Sequence, residues 1–168
     1  MEIFKGLSFK FINAGHILGA AQVILSNGSK KIGFTGDLGR PNDPIMYPPE
    51  VPKGCDYLVM ESTYGDRLHI KDDPFKMFRE IILKTYKRGG VIIIPAFAVG
   101  RTQLVLYYLD QLFRSGEIPS IPVFLNSPMA QDATKVFCRH HKIHRLDSAQ
   151  CQQIFNVARF VNNMEESI

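Results

Sequence analysis

The sequence lacks long apolar runs, low-complexity tracts and the features of a secretion signal. No apolar stretch among its 168 residues approaches the ~20 needed to span a bilayer. The first ten residues have neither the basic flank nor the apolar stretch of a signal peptide. With 45% hydrophobic and 21% charged residues, the composition is that of a globular chain rather than a disordered one. We therefore expect one compact, soluble, unexported protein without a membrane segment.

Cysteine and clustered positive charge are also scarce. The three cysteines, Cys55, Cys138 and Cys151, are an odd number without close spacing, which excludes a disulfide framework and a CxxC metal knuckle. We therefore expect a cytoplasmic location, where thiols stay reduced. The net charge of +4 comes from lysines and arginines in small groups, without the long basic run of a nucleic-acid tail. Any nucleic-acid surface must therefore be assembled by folding.

The first part of the chain has the pattern of short strands joined by turns. Apolar residues in LSFKFI, AAQVILS and KKIGFT predict three strands between residues 7 and 36, and Asn27-Gly28 predicts a hairpin turn. Residues 40–54 then contain five prolines, which remove backbone donors and predict an extended connector over the surface. The pattern changes near residue 56, where we place a domain boundary.

After residue 56, predicted strands and helices alternate. The segments YLVM, VIIIP and PVFL predict strands, and VIIIP at 91–95 predicts a buried one. Helix starts are predicted at Asp73-Pro74, near Arg101, and at Ser127-Pro128. The order βαβαβα favours a parallel sheet with helices on its faces, in which ligands gather at the carboxyl ends of the strands.

Two glycine-rich motifs carry side chains that could bind a metal ion. His16 lies among small residues in NAGHILGA, and Asp37 lies between glycines at a strand end in FTGDLGR. An imidazole and a carboxylate from neighbouring strand ends suit Zn²⁺ or Mn²⁺, and a carboxylate can bridge two metal ions. The residues alone leave two ordinary interpretations open, a hydrogen-bonded loop histidine and an aspartate that forms a turn.

Three further motifs follow predicted strands and could contact phosphate. In ESTYG, the Glu61 carboxylate could orient a catalytic histidine, and hydroxyl groups follow at Ser62, Thr63 and Tyr64. At two helix starts, Arg101 and Ser127 could hold an anion together with free backbone N–H groups. A capped turn and two ordinary helix caps are the alternatives that the residues leave open.

Five motifs, AGHILGA, FTGDLGR, ESTYGDR, PAFAVGRTQ and NSPMA, occur in this order and cover most of residues 13–133. Together they resemble the metallo-β-lactamase superfamily and, within it, the β-CASP ribonucleases, relatives of the pre-mRNA 3′-end processing endonuclease. The resemblance implies an α/β fold. Residues 1–56 would form the C-terminal part of a metallo-β-lactamase αββα half, and residues 57–168 part of a Rossmann-like, parallel-sheet β-CASP domain.

The resemblance also implies roles for individual residues. His16 matches a zinc ligand of the family, and Asp37 matches the aspartate that bridges two zinc ions. Glu61 matches an acidic residue beside the metal centre that supports an acid-catalysing histidine, so Asp37 and Glu61 are the implied catalytic residues. Ser127 lies in a segment near the cleft of these enzymes, although Asn126 stands where the family usually has aspartate. The implied activity is a two-metal hydrolysis of RNA, endo- or exonucleolytic, with zinc or manganese.

The chain also departs from the family pattern. It contains no HxHxDH motif, which supplies most of the family's metal ligands, and it lacks the two histidine motifs found downstream. We therefore expect an internal fragment with both domains incomplete, weak metal binding and no turnover of its own. Unpaired strand edges and apolar faces favour self-association, for example as a homodimer.

Three other functions compete with a nuclease. The first is a non-catalytic RNA-binding or scaffold member of the same family, in which His16 and Asp37 would be relics. The second is a metal hydrolase of small substrates, which would not account for ESTYG and GRTQ. The third is a nucleotide-binding α/β domain, which is disfavoured because no GxGxxG or P-loop follows a predicted strand.

Overall fold

The computed structural model describes residues 1–68 and 72–161 of the chain. These residues form two compact units. The first unit contains Met1–Leu68 together with Ile143–Arg145, and the second contains the other described residues. Both helices and sheets are present, which confirms the predicted α/β class. The described helices, at most 14 residues each, are too short to cross a membrane.

A five-stranded sheet forms the framework of the first unit. The strands lie side by side in chain order, antiparallel except for the last, which runs parallel to its neighbour. They are β1 (Glu2–Phe4), β2 (Leu7–Asn13), β3 (Ala21–Ser26), β4 (Lys31–Phe34) and β5 (Tyr57–Val59). Strands β2, β3 and β4 confirm the three strands predicted from the apolar pattern.

The turn between β3 and β4 forms at Asn27-Gly28, as predicted. The Asn27 side-chain oxygen accepts hydrogen bonds from the amides of Ser29 at 3.1 Å and Lys30 at 2.7 Å. Gly28 has a φ of +88°, in the left-handed region that favours glycine. The local sequence therefore fixes this turn and, with it, the pairing of the two strands.

The register of this sheet places eight apolar residues on one face. Residues paired across neighbouring strands point to the same side of a sheet. The paired residues on this face are Phe9, Phe11, Val23, Leu25, Ile32, Phe34, Tyr57 and Val59. Phe11 is 60% exposed and Tyr57 is 61% exposed. The first unit therefore presents a partly open apolar sheet face.

The proline-rich segment 40–54 contains neither helix nor strand, as predicted, but it is not simply a surface connector. Ile45 and Met46 are buried, and the Asp43 carboxylate accepts hydrogen bonds from both of their amides at 2.9 and 2.8 Å. The Glu50 amide donates to the Asn13 carbonyl oxygen at 2.9 Å. Because prolines lack N–H groups, other residues supply the donors here. The segment is therefore anchored within the first unit.

Residues 143–145 belong to the first unit, although most of the second unit precedes them in the sequence. The Arg145 amide donates to the Ile45 carbonyl oxygen at 2.9 Å, and its Nε donates to the Met46 carbonyl oxygen at 2.8 Å. Its guanidinium carbon lies 5.9 Å from the centre of the Tyr47 ring, within the range of a cation–π interaction. One arginine therefore satisfies two carbonyl groups of the proline-rich segment.

Helices dominate the second unit, and the first three begin where the sequence predicts, whereas the later 3-10 turn and last helix were not predicted. They are α1 (Pro74–Lys87), α2 (Arg101–Arg114), α3 (Pro128–Arg139), a 3-10 turn (His141–Ile143) and α4 (Ser148–Asn156). The Asp73 side chain caps α1 by accepting from the Phe75 amide at 2.9 Å. Ser127 caps α3 in the same way. A buried cluster of Ile82, Leu109, Leu112 and Ile118 packs α1 against α2.

The parallel sheet of the second unit is smaller than predicted. Strand β6 (Phe124–Leu125) pairs in parallel with β7 (Arg159–Phe160). The prediction of a buried strand at 91–95 is wrong for the described structure, because this segment forms no ladder and Val91 is 85% exposed. A strand needs the backbone groups of a neighbour as well as apolar side chains, and no described strand pairs with this one.

The YLVM segment forms a strand, but its partner lies in the first unit. Strand β5 pairs with β4, so it completes the first sheet and does not open the second. The two compact units separate after Leu68. The assignment of residues 1–56 and 57–168 to two family domains stays a prediction.

Candidate active site

The loops that carry His16 and Asp37 lie against each other in the first unit. His16 follows β2 and Asp37 follows β4, and both side chains are exposed. The Gly39 amide donates a hydrogen bond to the Ala14 carbonyl oxygen at 2.8 Å. A Cβ atom added at Gly39 would lie only 1.8 Å from the Gly15 carbonyl oxygen. The two loops therefore touch backbone to backbone, which only glycine permits at this position.

Glu61, directly after β5, holds the loop of Asp37 from another side. Its Oε1 accepts a hydrogen bond from the Leu38 amide at 3.1 Å, and its Oε2 accepts one from the Thr63 amide at 3.3 Å. The Glu61 amide donates to Thr35 Oγ1 at 3.1 Å. The carboxylate thus links the loop after β4 to the turn after β5.

The electrostatic setting of Glu61 keeps its carboxylate ionised. The hydrogen bond from the Leu38 amide, followed by those from the Thr63 hydroxyl and amide, holds the pKa of Glu61 below its usual range. The nearby charge of His16 lowers the pKa of Glu61 further. The structure therefore brings His16, the Asp37 loop and Glu61 to one edge of the sheet.

The residues after Glu61 form an exposed turn. The Gly65 amide donates to the Ser62 carbonyl oxygen at 3.0 Å, which closes the turn. Ser62, Thr63 and Tyr64 are all exposed, and Tyr64 is 58% exposed. Their hydroxyl groups stand beside the edge where Glu61 lies. This is the capped turn that the sequence left open, and it presents the three hydroxyl residues outward.

His16 and Asp37 supply donors of the type that zinc or manganese accepts, an imidazole nitrogen and a carboxylate oxygen. Within residues 1–68 and 72–161, no group of three histidine, cysteine, aspartate or glutamate side chains could hold a metal ion. A four-coordinate ion needs more than two protein ligands unless other groups complete its shell. The residues present therefore fit part of a metal-ligand set.

Arg101 and Ser127 belong to the second unit. Arg101 is exposed at the first position of α2, after Gly100, whose φ is +81°. The Ser127 Oγ accepts a hydrogen bond from the Ala130 amide at 3.2 Å and caps α3. Both residues occupy helix starts, as predicted, and Ser127 has the ordinary capping role that the sequence left open.

Sequence reasoning missed one residue that supports this edge. Thr35 is 2% exposed, and its Oγ1 accepts from the Glu61 amide and donates to the Gly36 carbonyl oxygen at 2.8 Å. It therefore ties the turn that precedes Asp37 to the start of the ESTYG motif. The available signal was a hydroxyl residue directly before the Gly-Asp pair in FTGD.

The arrangement can be compared with known proteins. A family model described as the Beta-Casp domain matches residues 102–168. The matched region makes up about two fifths of the chain. The match confirms the resemblance given by the five motifs, and the region of the β-CASP match begins at the second residue of α2.

Curated β-CASP relatives match most of the chain. An RNase J-like protein of Methanocaldococcus jannaschii is 36% identical over 140 residues, which covers 81% of this chain and 33% of that protein. Cleavage and polyadenylation specificity factor 73 of Drosophila melanogaster is 36% identical over 135 residues, 79% of this chain and 20% of that protein. Endoribonuclease ysh1 of Schizosaccharomyces pombe is 30% identical over 170 residues, 96% of this chain and 22% of that protein. The chain spans a third or less of these relatives.

Proposed function

We propose that this chain forms part of a metal-dependent β-CASP ribonuclease that hydrolyses RNA phosphodiester bonds in the cytoplasm. The observation that carries the proposal is the approach of His16, the Asp37 loop and Glu61 at one sheet edge. Relatives whose names describe ribonucleases support RNA as the substrate class.

In this proposal His16 and Asp37 are metal ligands. When bound, zinc or manganese would supply Lewis-acid chemistry for the attack of water on phosphorus. The chain itself orients the ligands, because the Ala14–Gly39 and Glu61–Leu38 hydrogen bonds hold the Asp37 loop from two sides. Glu61 acts first as a positioning residue, and its ionised state at neutral pH follows from its lowered pKa. Its part in acid catalysis belongs to the same proposal.

We assign RNA contacts to the exposed polar groups of both units. The hydroxyl groups of Ser62, Thr63 and Tyr64 can donate to phosphate oxygens, and the exposed Arg101 guanidinium can form charge-assisted hydrogen bonds. The Ser127 hydroxyl accepts from the helix, so its own hydrogen is available for donation.

The test is Asp37→Ala in the longest natural protein that contains this chain. We expect metal-dependent cleavage of an end-labelled single-stranded RNA to be lost, while binding to the same RNA persists, because the substitution removes a ligand and spares the polar contacts. Asp132→Ala is a matched control, because Asp132 is an exposed aspartate whose partner is Lys135 on the surface of α3. Equal cleavage by Asp37→Ala and the unchanged protein would refute the assignment.

A non-catalytic RNA-binding protein is the second candidate. The observation that favours it is the small number of metal-binding side chains, because no three of the described residues form a group that could hold a metal ion. It predicts that the unchanged parent protein binds RNA but shows no metal-dependent cleavage. For the chain alone, we expect weak zinc binding by calorimetry and no turnover. Tight, stoichiometric zinc binding by the chain would contradict that expectation.

A further inference from the structure

The packing of helices α3 and α4 brings together two cysteines that are distant in the sequence. Cys138 is the penultimate residue of α3, and Cys151 lies in the first half of α4. The Cys138 thiol donates to the Cys151 carbonyl oxygen at 3.4 Å, across 13 positions of sequence. The third cysteine, Cys55, belongs to the first unit, whereas both members of this pair belong to the second.

The two thiols differ in access and in acidity. Cys138 is half-buried, whereas Cys151 is 1% exposed. The neighbouring Cys151 thiol lowers the pKa of Cys138. The interaction with Cys138, together with burial, raises the pKa of Cys151. Because the thiolate is the reactive form, the thiol that reagents can reach is also the more nucleophilic of the two.

We propose that Cys138 and Cys151 are a redox modification site, at which a low-molecular-weight disulfide oxidises them to a reversible intramolecular disulfide. The Cys138 thiolate attacks one sulfur of the small disulfide, forms a mixed disulfide and releases one small thiol. The Cys151 thiol then gives up its proton and attacks the Cys138 sulfur, which forms the protein disulfide and releases the second small thiol. The protein loses two hydrogen atoms, and the small disulfide is reduced to two thiols.

This disulfide would close a defined loop. The closed segment runs from the end of α3 to the start of α4 and includes Ile143–Arg145, the residues that belong to the first unit. Oxidation would therefore link the two ends of the segment that contains Arg145, the residue that binds the proline-rich segment. The expected effect is a higher thermal midpoint in the oxidised form, by roughly 5–10 °C, because the unfolded chain is constrained.

The experiment uses the full chain with Cys55→Ser, so that only the proposed pair remains. The folded protein is incubated with oxidised glutathione, its remaining thiols are alkylated after denaturation, and its intact mass is measured. We expect a monomer that has lost two hydrogen atoms and takes up no alkylating agent. Dithiothreitol should restore both thiols and lower the thermal midpoint to that of the reduced form.

Two single-thiol variants are matched controls in the same background. With Cys151→Ser, the half-buried Cys138 should take up one glutathione and keep it. With Cys138→Ser, the buried Cys151 should stay unmodified while the protein is folded. Peptide mapping of the unsubstituted chain after the same treatment tests the Cys138–Cys151 link without any substitution, so the test does not depend on variants that fold.

Three results would overturn the inference. Two alkylatable thiols after incubation with excess oxidised glutathione would show that the pair does not close. A persistent glutathione adduct on Cys138 in the presence of Cys151 would show that the second thiol cannot resolve it. A disulfide between two chains, in place of one within the chain, would show that the thiols meet only across molecules.

Discussion

Replacing Gly39 with alanine tests the backbone contact on which the candidate site depends. The added Cβ would lie 1.8 Å from the Gly15 carbonyl oxygen and 2.1 Å from its carbonyl carbon, whereas ordinary contact begins at 3.4 Å. The loops must therefore separate by 1.6 Å, the difference between 3.4 and 1.8 Å. Both atoms are backbone, so no side-chain rotation can relieve the clash.

The expected cost combines two effects. Overpacking at a tight contact costs about 1–3 kcal/mol, and loss of the hydrogen bond between the Gly39 amide and Ala14 costs about 1 kcal/mol more. For a chain of this length, a loss of about 2–4 kcal/mol lowers the thermal midpoint by roughly 5–15 °C. The measurement is thermal unfolding of Gly39→Ala and of the unchanged chain, followed by circular dichroism.

Gly65→Ala is the matched control for this experiment. It makes the same substitution in the same unit, but its Cβ would meet the Ser62 carbonyl oxygen at 3.3 Å, so neighbours need to move only by tenths of an ångström. Its thermal midpoint should stay within roughly 2 °C of the unchanged chain. If Gly39→Ala melts at the same temperature as Gly65→Ala, the close approach of the two loops is not real.

Two further predictions concern Glu61 and Ser127. Because the folded-state pKa of Glu61 is lowered, its ionised carboxylate adds stability above its usual pKa of about 4.3 and loses that contribution as pH falls through the lowered value. The stability difference between the unchanged chain and Glu61→Gln, measured by urea unfolding, should therefore shrink on acidification; a pH-independent difference would contradict this. Ser127→Ala should lower stability by about 1 kcal/mol through loss of the α3 cap. Ser127→Asn keeps a capping acceptor and should recover most of the loss, and equal instability of both variants would count against capping.

Local sequence signals predicted the structural elements that are determined by residues close together in the sequence. The apolar pattern located β2, β3 and β4, Asn27-Gly28 located their turn, and Asp73 and Ser127 located two helix starts. The predictions failed where contacts with residues distant in sequence determine the structure. Residues 91–95 have the composition of a buried strand but no backbone neighbour among the described strands. Ile45 and Met46 are buried although prolines surround them, because distant residues cover and bind that segment.

The candidate site shows the same division. Motifs identified His16, Asp37 and Glu61 as residues to examine, since polar groups follow strand ends next to glycines. The contacts that join them could not be predicted, because they run between separate loops, as in the hydrogen bond from the Gly39 amide to the Ala14 carbonyl oxygen. The contact between Cys138 and Cys151 could not be predicted for a related reason. Their spacing places them on different helices, and only the packing of those helices brings the thiols together.

The bonds from Arg145 to the proline-rich segment have a consequence for synthesis on the ribosome. Arg145 and Met46 are 99 positions apart, so the first unit lacks one of its own components until those further residues have been translated. At about 5–20 residues per second, that interval lasts roughly 5–20 s. During it, the Asp43 carboxylate can already bind the Ile45 and Met46 amides, but the carbonyl oxygens of the same two residues lack their Arg145 donors. The nascent chain therefore passes through a stage in which Met1–Leu68 is translated but the first unit is still without Ile143–Arg145.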